Sequence, residues 1–141
     1  MSEQRMVDLD VFMSEPEENT PDKRKRRKLS KKEREIIYQK TNGHCAYCGC
    51  ELELTNMQAD HIQPFYLGGS DELDNFLPSC RSCNHYKSTL SLEDFRKTMQ
   101  TLPDRMLRDS VNFRNLLRFG IISVDRSPVK FYFERIVTDN A

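Results

Sequence analysis

Two Cys-x-x-Cys pairs, Cys45-Ala-Tyr-Cys48 and Cys80-Arg-Ser-Cys83, bracket an adjacent acid and imidazole, Asp60-His61. Four thiolates at such spacing read as ligands of a structural Zn2+, which would clamp the two ends of one short segment together. Between them lie a carboxylate of the kind that binds hard metal ions and an imidazole whose pKa falls near neutrality. Together these are the parts of metal-assisted hydrolysis, in which a base activates water and a cation stabilises developing negative charge. Asn75 and Asn84 follow in the same segment as neutral oxygen donors or turn residues. The gap between the cysteine pairs is longer than in compact four-cysteine sites, so the clamp is expected to enclose a functional insertion. In a reducing compartment paired knuckles read as metal ligands and not as disulfides, and the fifth cysteine, Cys50, reads as a spare thiol beside the first knuckle.

These groups need elements to position them. Ser30-Lys31-Lys32-Glu33 has capping-box spacing and predicts a helix that Asn42-Gly43 ends. Met57 to Ile62 reads as a strand closed by Pro64, Gly68-Gly69-Ser70 as a turn, and Asn75 to Pro78 as a second short strand. A helix beginning near Arg81 then carries Cys83, Asn84, Tyr86 and Lys87. Neighbouring residues on a strand face opposite sides, so Asp60 and His61 should divide their labour at the strand's end.

In order and spacing these residues resemble the HNH endonucleases, whose fold is the ββα-metal unit. The matching pieces are Cys45-x2-Cys48, Ala59-Asp60-His61-Ile62-x-Pro64, Gly68-Gly69-Ser70, Asp74-Asn75 and Cys80-x2-Cys83-Asn84-x2-Lys87, covering about residues 44 to 88. The resemblance implies an α+β fold, a divalent-ion-dependent cleavage of DNA phosphodiester bonds leaving 5'-phosphate and 3'-hydroxyl ends, and His61 as general base. It further implies that Asn75 braces the loop and orients that histidine. Asp60 and Asn84 offer hard oxygens suited to Mg2+ or Mn2+, leaving positions open for water and phosphate. The chain departs from the literal His-Asn-His pattern at its third position, where Asn84 follows Cys83 and His85 comes next. One helical step turns a side chain by about 100°, so the metal takes one of the two, and Asn84 is the expected ligand. His85 is then a phosphate contact or a surface residue, and Arg81 and Lys87 are phosphate contacts or solvated charges.

Formal charge sums to zero over 141 residues, but it is segregated. Residues 1 to 22 carry seven acids against Arg5. Residues 23 to 40 carry ten bases against Glu33 and Glu35, and six of these, Lys23, Arg24, Lys25, Arg26, Arg27 and Lys28, form one run. Such a run attracts phosphates irrespective of sequence, making DNA the expected partner. The acidic segment lacks an apolar face and is expected to be a disordered tail, although Met6, Val7, Leu9, Val11, Phe12 and Met13 could dock on a protein partner. No run nears the roughly 20 apolar residues that span a bilayer, and no apolar leader opens the chain, so a cytoplasmic protein with no membrane partner is expected.

The layout expected is a tail at 1–28, a nuclease core at 29–90 and an extension of the same domain at 91–141. In the extension Leu92, Phe95 and Met99 recur at helical spacing after Ser91, a further helix is expected from Asp104 to Phe119, and Ile121–Val124 with Val129–Phe133 read as a terminal β-hairpin. Two other functions use the same scaffold: a zinc-stapled module that binds nucleic acid without cutting it, and a regulatory protein whose acidic tail mimics nucleic acid. Sequence preference, oligomeric state and biological setting leave no mark in the residues; phage packaging, restriction and homing all use such a unit.

Overall fold

The structure is a computed structural model that describes residues 25–139. The acidic segment 1–22, with Lys23 and Arg24, lies outside the described residues. Helix α1 spans Lys31–Gln39 and starts in the capping box: the Glu33 amide donates to Ser30 Oγ at 3.2 Å, and the Ser30 amide donates to Glu33 Oε2 at 2.8 Å. It ends where Asn42 and Gly43 take φ of 51° and 78°, a left-handed step that carries the chain into the first knuckle.

Strand β1, Gln58–His61, pairs antiparallel with β2, Phe76–Ser79, in the register Gln58↔Ser79 and His61↔Phe76. Helix α2, Arg81–Lys87, follows β2 and packs against β1, completing the strand–strand–helix unit. All four residues of β2 are buried, and Pro78 is tolerated there because the strand needs its carbonyl, which accepts the Ala46 amide at 2.8 Å. That bond ties the first knuckle to the sheet. Arg34 ties α1 to the chain entering β1 by donating to the Leu54 and Met57 carbonyls at 3.0 and 2.8 Å. Ile37, Tyr47, Met57, Phe76, Leu77, Phe95 and Phe131 form the core. Tyr47, Phe95 and Phe131 meet with ring centroids 5.3 to 5.4 Å apart.

Two expectations for the C-terminal part are corrected. Helix α3 runs unbroken over Leu92–Asp109 despite Pro103, and the helix expected to begin at Asp104 begins as α4 at Val111 and ends at Arg118. The break falls at Ser110 because its extended backbone ends α3, while its Oγ accepts the Phe113 amide at 3.1 Å and starts α4. The terminal hairpin is absent: residues 121–131 hold no strand, and Tyr132–Asp139 is helix α5. The amides that begin it are taken by tertiary and local acceptors. Tyr132 and Phe133 donate to the Tyr47 and Ala46 carbonyls at 3.1 and 2.9 Å, and Phe131 donates to Glu134 Oε2 at 3.0 Å. No helix among the described residues is long and apolar enough to cross a membrane.

Candidate active site

The cysteine clamp comes together from two turns. Cys45 and Cys48 sit in the loop after α1, where the Cys45 amide donates to the Cys50 carbonyl at 2.8 Å and Gly49, at φ 82°, closes the turn. Cys80 caps α2, its Sγ accepting the Cys83 amide at 3.4 Å, so the second pair rides on the helix start. The four sulfurs lie within 4.8 Å of one another, and Cys48 Sγ is 3.9 Å from Cys80 Sγ. Tetrahedral Zn–S bonds of about 2.3 Å place sulfurs about 3.8 Å apart, so this donor set fits Zn2+. A hydrogen bond from Cys83 brings the Cys45 thiol down to about 4 against the opposing effect of its burial, and the same bond pushes Cys83 up. A bound Zn2+ would hold these sulfurs as thiolates, releasing their protons. Cys50 is exposed and outside the cluster.

Asp60 lies at the end of β1 in the interior. Its Oδ2 accepts from the Tyr47 hydroxyl and lies 3.0 Å from Lys87 Nζ. Burial, reinforced by the Asp60 charge, holds Tyr47 protonated and hence a donor. Lys87, a surface charge by its sequence pattern, is fully buried and also donates to the His61 carbonyl at 3.0 Å. Its ammonium is bonded to Asp60 and to the end of β1.

His61, the last residue of β1, packs against the Phe76 ring at 4.4 Å and the Phe65 ring at 5.8 Å between centroids. Its Nε2 is 2.7 Å from Asp71 Oδ1. Asn75 reaches back over the loop between the strands: Nδ2 donates to the Gln63 and Ser70 carbonyls at 3.0 and 2.8 Å, and Oδ1 accepts the Gln63 amide at 2.9 Å. Asn75 thus braces the loop, while the residue that bonds the histidine ring is Asp71.

A cleft of about 410 Å3 gathers Asp60, His61, Asn84, His85, Lys87 and Arg26 on its walls. A second, of about 300 Å3, opens beside His61 and is lined by Arg26, Arg27, Lys28, Arg34 and Asp71. Lys25 to Lys28 are exposed. The root of the basic run therefore lies along the histidine: Arg26 stacks over Phe65 at 5.6 Å, and the Arg27 amide donates to Asp71 Oδ2 at 3.2 Å. Arg81 is exposed at the start of α2 and lines neither cleft. Sequence reasoning alone misses Asp71 and Tyr47. Asp71 reads as one more polar turn residue and Tyr47 as filler inside a knuckle, since neither spacing reveals a long-range partner.

Asp60 and Asn84 present hard oxygen donors to one polar cleft, a set suited to a divalent ion that keeps water and phosphate as its remaining ligands. Among the described residues Asp60 Oδ2 is engaged by Tyr47 and Lys87, and no hydrogen bond holds Oδ1.

Three comparisons with known proteins bear on this arrangement. The family model for HNH endonuclease matches residues 45–89. No curated protein matches the chain. Among solved structures, the Type II-C Cas9 enzyme from Actinomyces naeslundii is similar at 22% identity and a TM-score of 0.45, over 53% of this chain and 9% of that one. The matched residues 45–89, about a third of the chain, hold both cysteine pairs and the strand, loop, strand and helix that carry Asp60, His61, Asn75 and Asn84, and this segment is similar to the HNH endonuclease family.

Proposed function

We propose that the protein is a metal-dependent endonuclease that hydrolyses DNA phosphodiester bonds, by nicking or, with two copies acting together, by double-strand scission. The observation that carries this reading is the convergence of Asp60, His61 and Asn84 on one polar cleft beside a basic segment. In this reading Asp60 and Asn84 hold Mg2+ or Mn2+, which when bound stabilises charge on the phosphoryl oxygens and the departing 3' oxygen. His61 accepts a proton from the attacking water. Lys87 and Tyr47 hold the Asp60 carboxylate in place, and Asn75 keeps the loop folded. Lys23, Arg24, Lys25, Arg26 and Lys28, with His85 and Arg81, draw in and seat the phosphate backbone, while Arg27 is bonded to Asp71 and Glu33. The cysteine site holds Zn2+ as a structural staple and has no open position for chemistry.

Plasmid cleavage by the zinc-loaded protein with Mg2+ or Mn2+ tests the reading. Wild type should nick or linearise the plasmid, and His61→Ala and Asp60→Ala should lose about 10²- to 10⁴-fold in rate, the usual contribution of a general base or a comparable catalytic group. If wild type binds the plasmid and leaves it intact, as the mutants do, the protein is a binding module.

A further inference from the structure

Resting on the nuclease reading, we propose that Asp71 is a positioning residue that fixes the tautomer and ring orientation of His61, so that Nδ1 is the nitrogen that takes the proton from water. Asp71 Oδ1 lies 2.7 Å from His61 Nε2, with side-chain exposures of 17% and 13%. An ionised carboxylate only accepts hydrogen bonds, so Nε2 must carry the hydrogen, and in a neutral imidazole the lone pair is then on Nδ1. Among the described residues, none bonds to Nδ1. Although burial opposes it, the bonds from His61 and from the Arg27 amide hold the Asp71 carboxyl below the usual carboxylate range, which keeps it an acceptor.

Asp71 is itself fixed on three sides. The Arg27 amide donates to its Oδ2 at 3.2 Å and Arg27 Nε donates to its carbonyl at 3.0 Å, while Arg27 is anchored in turn on Glu33 Oε1 at 2.7 Å. Just before it, Asn75 Nδ2 holds the Ser70 carbonyl at 2.8 Å. The loop is also closed on itself at Gly69, where a Cβ would fall 1.9 Å from the Gln63 carbonyl oxygen. The root of the basic run therefore bonds the carboxylate that holds the histidine, and the asparagine brace holds the residue just before it. Arg27 is a tether in this arrangement; Arg26 and Lys28 remain for substrate.

Two readouts test this. The first is the ring-nitrogen NMR spectrum of His61, assigned by comparison with His61→Ala, in zinc-loaded wild type, Asp71→Ala and Asp71→Asn. Wild type should show the Nε2–H form, Asp71→Ala a mixture of tautomers, and Asp71→Asn the wild-type form, because its amide oxygen still accepts. The second is plasmid cleavage. Asp71→Ala should lower kcat by at least about tenfold, within the 10²- to 10⁴-fold that a general base supplies, with KM unchanged, and Asp71→Asn should recover part of that loss. Unchanged His61 ring signals and kcat in Asp71→Ala, with the fold intact, would overturn the proposal. An inactive wild type that still shows the Asp71-dependent Nε2–H form would sink the cleavage reading and leave the positioning role standing.

Discussion

Lys87 Nζ sits 3.0 Å from Asp60 Oδ2, and the two side chains are 1% and 8% exposed, so a full ion pair lies in the interior of a small domain. Taking two charges out of water is costly, and the pair is tolerated because each member has further partners: Asp60 has the Tyr47 hydroxyl, and Lys87 has the His61 carbonyl. Asp60 therefore enters the cleft with one oxygen already fixed.

Removing the cation strands the carboxylate. Lys87→Met is expected to destabilise the zinc-loaded protein by about 3 to 5 kcal/mol, measured as a shift in the denaturant midpoint. Tyr47→Phe, which removes a hydrogen bond to a charged group, should cost about 1.5 to 3 kcal/mol. The double mutant should depart from additivity because both partners share Oδ2. A Lys87→Met protein as stable as wild type would mean that the lysine is not committed to Asp60.

The cysteine site is expected to hold one Zn2+ per chain and to stabilise the fold through it. Cys45 and Cys48 come from the loop after α1, and Cys80 and Cys83 from the start of α2, so the metal joins both ends of the catalytic unit. Cys80→Ser or a strong chelator should release the metal and abolish cooperative unfolding, because metal-binding free energy is folding free energy in such sites. Metal content by mass spectrometry and thermal unfolding check this; full folding without metal release in Cys80→Ser would remove the structural role.

The parts of this protein that are legible in the sequence are those whose signals are local. The Ser30 capping box, the Asn42-Gly43 stop, the two strands and the cysteine spacing each involve residues near in sequence, and each appears in the structure. What escapes depends on distant partners. Lys87 looks like any helix-surface lysine until Asp60, 27 positions earlier, is seen to be buried beneath it. Asp71 gains meaning only from His61 and Arg27. The apolar alternation at Val129, Phe131 and Phe133 fits a strand, but the carbonyls of Ala46 and Tyr47 and the Glu134 carboxylate take the amides that a hairpin would have paired. Tertiary acceptors override the local pattern.

Nucleic-acid binding should be strongly salt-dependent. Lys25, Arg26 and Lys28 are exposed, whereas Arg27 is committed to Asp71 and Glu33. Replacing those three with alanine should weaken binding uniformly across DNA sequences and flatten the plot of log K against log salt by about 0.9 for each phosphate that is no longer neutralised. Fluorescence anisotropy across a salt series reads the slope. An unchanged slope would show that the run does not touch the backbone.

Helix α5 provides a pH-dependent test of how the C-terminal region is held. Arg96, on α3, donates to both Glu134 carboxylate oxygens, with Nη1 at 2.8 Å from Oε2, and its guanidinium lies 4.7 Å over the Phe131 ring. The bond from Arg96, helped by the Phe131 amide and opposed by burial, holds the Glu134 carboxyl below its ordinary value of 4.5. A depressed carboxylate contributes stability that is complete above the unfolded pKa and is lost as pH falls through the lower, folded one. With side chains 23% and 28% exposed, Glu134→Gln should cost about 1 to 2 kcal/mol near pH 7. The gap between the two proteins should stay constant well above the ordinary glutamate value of 4.5 and close progressively below it. Acid release of metal from the cysteines affects wild type and mutant alike, so the difference between their unfolding midpoints at each pH isolates Glu134. A gap that persists unchanged through this acid range would mean that the carboxylate charge is not what holds α5 to α3.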